Sequence, residues 1–168
     1  MTDAQLLVGM AELKVARGPA HFSCLGLGSC VALTAMDVSN DVSGMVHIVL
    51  PKSLTGRQVD KPGKFANTAI DALVSAMEEL GAQRTELQLA YVGGAQVFKF
   101  KSETHDEKLE VGRRNIVAVE AALGRLGLHV VAKDVGGSVG RSVTFCTVSG
   151  EISVRTVHMG EQMLCSLR

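Results

Sequence analysis

The sequence predicts a layered α/β sandwich, a mixed β-sheet structure with two main helices. Three observations lead there. Short runs rich in Val, Leu, Ile and Thr recur between clusters of Gly, Ser, Asn and Asp, the pattern of strands and turns. Two longer stretches carry apolar residues at helical spacing and end on glycine. Strands mixed with helices bury their apolar faces as stacked layers. At 168 residues the chain is read as one domain, residues 1–168, long enough for a substantial core.

Taken in order, residues 6–16 fit two periods. Leu6, Met10 and Leu13 suit a helix, whereas Leu13 and Val15 alternating with Glu12 and Lys14 suit a strand. Gly18-Pro19 ends either element. His21 to Leu25 is a short extended piece, with His21 expected at the surface. Val31–Asp37 and Val42–Leu50 read as strands around the turn-forming Val38-Ser39-Asn40-Asp41. A four-residue loop pairs Asp37 with Val42 and sets Ala32 opposite His47.

Ser53 to Lys61 is polar and reads as a surface loop. A helix follows from about Lys64 to Leu80, with Phe65, Ala69, Ile70, Leu73, Met77 and Leu80 in one stripe and Gly81 at its end. Glu86–Val92 alternates as a strand, with Leu87, Leu89 and Tyr91 on one face. Gly93-Gly94-Ala95 and a short apolar piece, Val97 to Phe100, come next. Charged residues 101–110, including His105, read as a loop. A second helix starts at Arg113 or Arg114 and runs through Ile116, Val119, Leu123 and Leu126 to Gly127. Leu128–Lys133 is a strand in which His129 is expected to be structural. Val143–Val148 and Ile152–His158 form a second hairpin across Ser149-Gly150-Glu151.

Composition narrows the function classes. Hydrophobic content is 46%, charged content 20% and formal net charge zero. With the charges interspersed, nothing suggests nucleic acid or a polybasic membrane anchor. The first residues lack a signal-peptide pattern, and no apolar run reaches spanning length. The expectation is a cytoplasmic protein without direct membrane insertion. Four cysteines, Cys24, Cys30, Cys146 and Cys165, are read as thiols. Without a C-x-x-C pair, and with five scattered histidines, no metal or cofactor is expected. The glycine-rich loop Val135-Gly136-Gly137-Ser138-Val139-Gly140 matches neither a Walker loop nor a dinucleotide fingerprint.

The candidate chemistry lies at Gly26-Leu27-Gly28-Ser29-Cys30. A cysteine nucleophile needs a base beside it and backbone N–H groups in front of it. The hairpin register sets Cys30 diagonally across from His47 on one face, within reach of a ring side chain. A histidine alongside favours the thiolate. The N–H of Cys30 and a neighbour in the Gly28-Ser29 turn would hold an oxyanion. A free cysteine is otherwise a small buried hydrophobe, and a histidine in an apolar run a satisfied core residue. His158 is the other candidate base, without a glycine-turn partner.

Gly26-Leu27-Gly28-Ser29-Cys30-Val31-Ala32-Leu33 followed by Gly44-Met45-Val46-His47-Ile48-Val49-Leu50-Pro51 resembles the CheD family of chemoreceptor glutamine deamidases. The likeness continues through 60–69, Gly93-Gly94-Ala95, Gly112 with Asn115, Asp134 with Gly136-Gly137, Arg141-Ser142-Val143 and Gly160-Glu161-Gln162. The resemblance implies a fold similar to the catalytic domain of cytotoxic necrotizing factor toxins. It implies deamidation of glutamines on the cytoplasmic helical bundle of chemoreceptors through a thioester at Cys30, with glutamyl methyl esters as further substrates. It also implies a CheC-type phosphatase as partner, and places Gly136, Gly137 and Arg141 near the active site, with Arg141 ordering the loop.

One position departs from the family pattern. The family has a threonine six residues before its cysteine, as third member of the catalytic set, and this chain has Cys24 there. A thiol is the poorer hydrogen-bond partner. Either a backbone carbonyl of that segment orients His47, or catalysis is weakened and the protein acts mainly as a binding adaptor. Cys24 and Cys30 are also a candidate redox pair. Ser138 stands where many relatives carry asparagine.

Overall fold

The computed structural model describes residues 2–53, 60–97 and 110–168. Their strands form two five-stranded sheets. The first holds β1 (Ala4–Leu7), β3 (Ala20–Leu27), β8 (Arg141–Cys146), β9 (Glu151–Thr156) and β10 (Gly160–Ser166), in that spatial order. The second runs β2 (Leu13–Arg17), β5 (Val42–Ile48), β4 (Val31–Asp37), β6 (Gln88–Gly93) and β7 (His129–Val135). Pairing is antiparallel except at β1–β3 and β6–β7. Helices α1 (Ala66–Glu79) and α2 (Val111–Leu126) cover the second sheet.

The alternation of side chains along β4 divides the core. Val31, Leu33 and Ala35 face the helices and pack with Ile70, Leu73 and Met77 of α1 and Val119 and Leu123 of α2. Ala32 and Met36 face the first sheet, against Phe22, Cys24, Val143 and Phe145. The order is therefore helices, sheet, sheet. All seven residues of β4 and of β5 are buried. Each fully buried Leu or Ile in these layers contributes about 1.5–3 kcal/mol. Phe22 and Phe145, paired across β3 and β8 of the first sheet, stack at 5.8 Å between centroids.

The β4–β5 hairpin has the expected register, Asp37 opposite Val42 and Ala32 opposite His47. Asp37 accepts hydrogen bonds from Asn40 that close the turn. Residues 6–16, however, are neither one helix nor one strand. They split into β1 and β2, in different sheets, around a turn where Ala11 adopts φ 64°. A tight reversal cannot be told from a continued period in so short a window.

Several boundaries also move. The first helix begins at Ala66, after a 3₁₀ turn over Pro62–Lys64. The second begins at Val111. β5 ends at Ile48, and Leu50 instead makes a lone bridge to Phe65. Both helices end as expected on left-handed glycines, Gly81 at φ 103° and Gly127 at φ 63°. His129 is exposed at the start of β7 rather than structural. The edge strand β10, which sequence reading missed, is mostly exposed and so carries little apolar alternation. Phe98–Phe100, His105 and most of the two polar loops lie outside the described residues.

Candidate active site

Cys24 in β3 and His47 in β5 meet between the two sheets. Both are buried, at 0% and 4% exposure. Cys24 Sγ lies 3.2 Å from His47 Nδ1. The same nitrogen lies 3.4 Å from the main-chain oxygen of Val8. A carbonyl only accepts, so Nδ1 carries the proton and Nε2 a lone pair. Nε2 is buried without a hydrogen-bond partner among the described residues.

The carbonyl that reaches His47 thus belongs to the residue after β1, not to the segment around Cys24. Val8 is set there by its N–H bond to the Ser23 carbonyl at 2.8 Å. The turn that follows grips the main chain of His47 as well. Ala11 N–H donates to His47 O, and His47 N–H to Glu12 O, both at 3.0 Å. A main-chain oxygen leaves no trace in residue identity, so sequence reasoning could not find this partner.

Cys30 is half-buried and immediately precedes β4, two residues before the Ala32–His47 pair. Its turn is held through its carbonyls. Ala95 N–H donates to Gly28 O at 2.9 Å and Gly94 N–H to Cys30 O at 2.8 Å. Asn115 Nδ2 donates to Ser29 O at 2.8 Å. Among the described residues, no hydrogen bond uses the N–H of Ser29 or of Cys30. Gly93, at φ 125°, runs so close to the Cys30 carbonyl that a side chain there would collide with it.

Burial pushes the Cys30 thiol up from its ordinary 9.0. Burial, with the neighbouring Cys30, pushes Cys24 up to about 12. The His47 imidazole is held below 6.5 by burial, against the Val8 carbonyl and the Glu12 charge, which act in the opposite sense. The resting pair is therefore a neutral thiol and a neutral imidazole. Desolvation disfavours both ions and so acts against the expected preference for thiolate.

The glycine loop joins this assembly by a chain of bonds. Arg141 donates to Gly136 O at 2.8 Å and pairs with Asp134 at 3.2 Å. Gly136 N–H donates to Gly93 O at 3.0 Å, and Gln96 N–H to Gly137 O at 2.8 Å. His158 is not brought near. It sits exposed in the β9–β10 turn and lines a cleft of about 280 Å³ with Asp134, Arg141 and Met159. Among the described residues no His, Cys, Asp and Glu group could hold a metal ion.

A two-sheet α/β sandwich with an oriented, unprotonated imidazole nitrogen on one strand of a hairpin and a turn-borne thiol leading into the other has the parts of a thiol hydrolase. Comparison with known proteins narrows that class. The family model described as CheD chemotactic sensory transduction matches residues 49–156. The chain is similar to the chemoreceptor glutamine deamidase CheD of Halalkalibacterium halodurans, 42% identical over 92% of this chain and 95% of that protein. It is also similar to the probable chemoreceptor glutamine deamidases CheD of Symbiobacterium thermophilum, 41% identical over 98% and 100%, and Clostridium novyi, 36% over 95% and 98%. The chain belongs to the CheD family. No helix among the described residues is long and apolar enough to cross a membrane.

Proposed function

We propose that this protein deamidates specific glutamine side chains of chemoreceptors to glutamate, with Cys30 as nucleophile and His47 as base. The observation that carries this reading is the imidazole. Its Nδ1 is occupied by Val8 O and Cys24, its Nε2 lone pair is left without a partner among the described residues, and the hairpin register sets Ala32, two residues after Cys30, opposite His47.

Cys30 Sγ attacks the carboxamide carbon while its proton passes to His47 Nε2. Starting from two neutral groups, charge develops only as the bond forms, and the N–H groups of Ser29 and Cys30 are free to hold the oxyanion. Collapse expels ammonia, which takes the proton from His47, and leaves a thioester. Water then gives a proton to Nε2 and attacks the thioester carbon. Glutamate departs and Cys30 recovers its proton. A glutamyl methyl ester would enter by the same thioester, with methanol leaving. Arg141, through Gly136 and Gly137, orders the wall behind the Cys30 turn. Binding of a CheC-type phosphatase belongs to the same proposal.

The test is incubation with the folded cytoplasmic fragment of a cognate receptor, read by peptide mass at individual glutamines. Native protein converts particular glutamines to glutamate, and Cys30→Ala and His47→Ala do not. Absence of conversion by native protein overturns the function, and conversion by Cys30→Ala overturns the mechanism.

A further inference from the structure

Asn115 lies in the first turns of α2 and is 0% exposed. Asparagine is a weak helix former, and a buried amide is costly unless its protons are accepted. Here both are. Nδ2 donates to Ser29 O at 2.8 Å and to Val49 O at 3.0 Å. Two carbonyl acceptors fix which end of the amide is which.

Those carbonyls lie where β4 and β5 part. The last ladder pair is Val31 opposite Ile48. Beyond it, Val49 N–H turns to the Lys64 carbonyl at 3.0 Å, while Cys30 O takes the Gly94 N–H. Between the nucleophile's turn and the end of the base's strand, the backbone ladder has stopped. The Asn115 amide replaces the missing rung, one residue before Cys30 and two after His47. The rest of the side chain is subordinate to this bridge: Oδ1 is buried without a partner among the described residues.

We propose that Asn115 is a positioning residue for the thiol–imidazole pair, setting the separation of Cys30 and His47 by bridging the diverging ends of β4 and β5. This rests on the reading of Cys30 and His47 as nucleophile and base. It assigns to α2 a part in the chemistry beyond covering the sheet. Its neighbours serve the same docking. Gly112 packs against the Gly94 and Ala95 carbonyls, and Ile116 against Gly94.

Two variants test it. Asn115→Ala removes the bridge and favours the helix. Asn115→Asp keeps the shape and replaces both N–H donors by oxygen. Each is compared with native protein for kcat and KM on the receptor fragment, and for alkylation of Cys30 by iodoacetamide across pH, read by mass at that residue. Assays run below the melting temperature of each variant, with Cys30→Ala in parallel. The expected result is a loss of kcat of about 10- to 100-fold with KM nearly unchanged, because a small misplacement of reacting groups costs rates of that order. The pH profile of Cys30 alkylation shifts as well, which a role confined to folding would not produce. Native kcat and a native profile in either folded variant overturn the inference. Activity in Cys30→Ala instead overturns the reading beneath it.

Discussion

His47 is held at one nitrogen by two partners of unequal strength. The Val8 carbonyl is a good acceptor at a long 3.4 Å, and the Cys24 sulfur a weak one at 3.2 Å. A hydroxyl in place of the thiol takes the same proton more strongly. Cys24→Thr and Cys24→Val have nearly equal shapes and differ in that acceptor. Their kcat values are expected to differ about 2- to 10-fold in favour of Thr, the worth of one neutral hydrogen bond. Equal rates would mean that the Val8 carbonyl orients the ring alone. The lowered pKa of His47 has a second consequence. Below the ordinary 6.5, the unfolded chain binds a proton that the folded chain refuses. Stability is therefore free of this penalty above 6.5 and falls as pH drops below it, until the folded protein also protonates. Melting temperatures of native protein and His47→Gln, compared between about pH 7.5 and about pH 5, check the sign: native protein loses ground to the variant as pH falls.

At the scale of elements, α2 acts through its first turn. A Cβ at Gly112 would stand 2.6 Å from the Ala95 oxygen and 2.7 Å from that of Gly94. Alanine normally improves a helix over glycine by about 1 kcal/mol, and at Gly124, where a Cβ meets nothing within 4 Å, that gain is expected. At Gly112 main-chain atoms stand in the way, and the expected change reverses to a loss of about 1–3 kcal/mol. Urea unfolding of Gly112→Ala and Gly124→Ala reads the two signs directly. Deamidation by Gly112→Ala is expected to fall further than its folded fraction, because Gly94 and Ala95 are the donors that hold Cys30 O and Gly28 O. The hairpin carrying Cys30 and His47 was legible in the sequence because its register follows from local turn chemistry. The fork at its open end was not, since it depends on partners remote in sequence.

For the molecule as a whole, a layered α/β arrangement with two helices could be read from periodicity, whereas the division of the strands into two sheets and the long-range partnerships could not. β1 pairs in parallel with β3, and β10 closes the first sheet at its edge. Neither pairing is announced by alternation in those segments. The hairpin register that relates Cys30 to His47 was visible as a spacing, whereas the Val8 carbonyl was hidden because any residue could supply it. Asn115 had a weaker signal, an amide inside a helical stripe. These differences in sequence distance also set an order of assembly. Cys30 and His47 lie at one hairpin closed by a short turn, and such local contacts cost little loop entropy. Cys24 is 23 residues from His47, Val8 is 39, and Asn115 is 86 from Ser29. During refolding, recovery of deamidation is expected to trail recovery of the β-sheet signal, and simultaneous recovery would refute that order. On the ribosome Val8, Cys24, Cys30 and His47 all emerge before Asn115, so a chain still being made bears its thiol and imidazole before the amide proposed to bridge their strands. Full deamidation activity is therefore expected only after α2 has been synthesised and has docked.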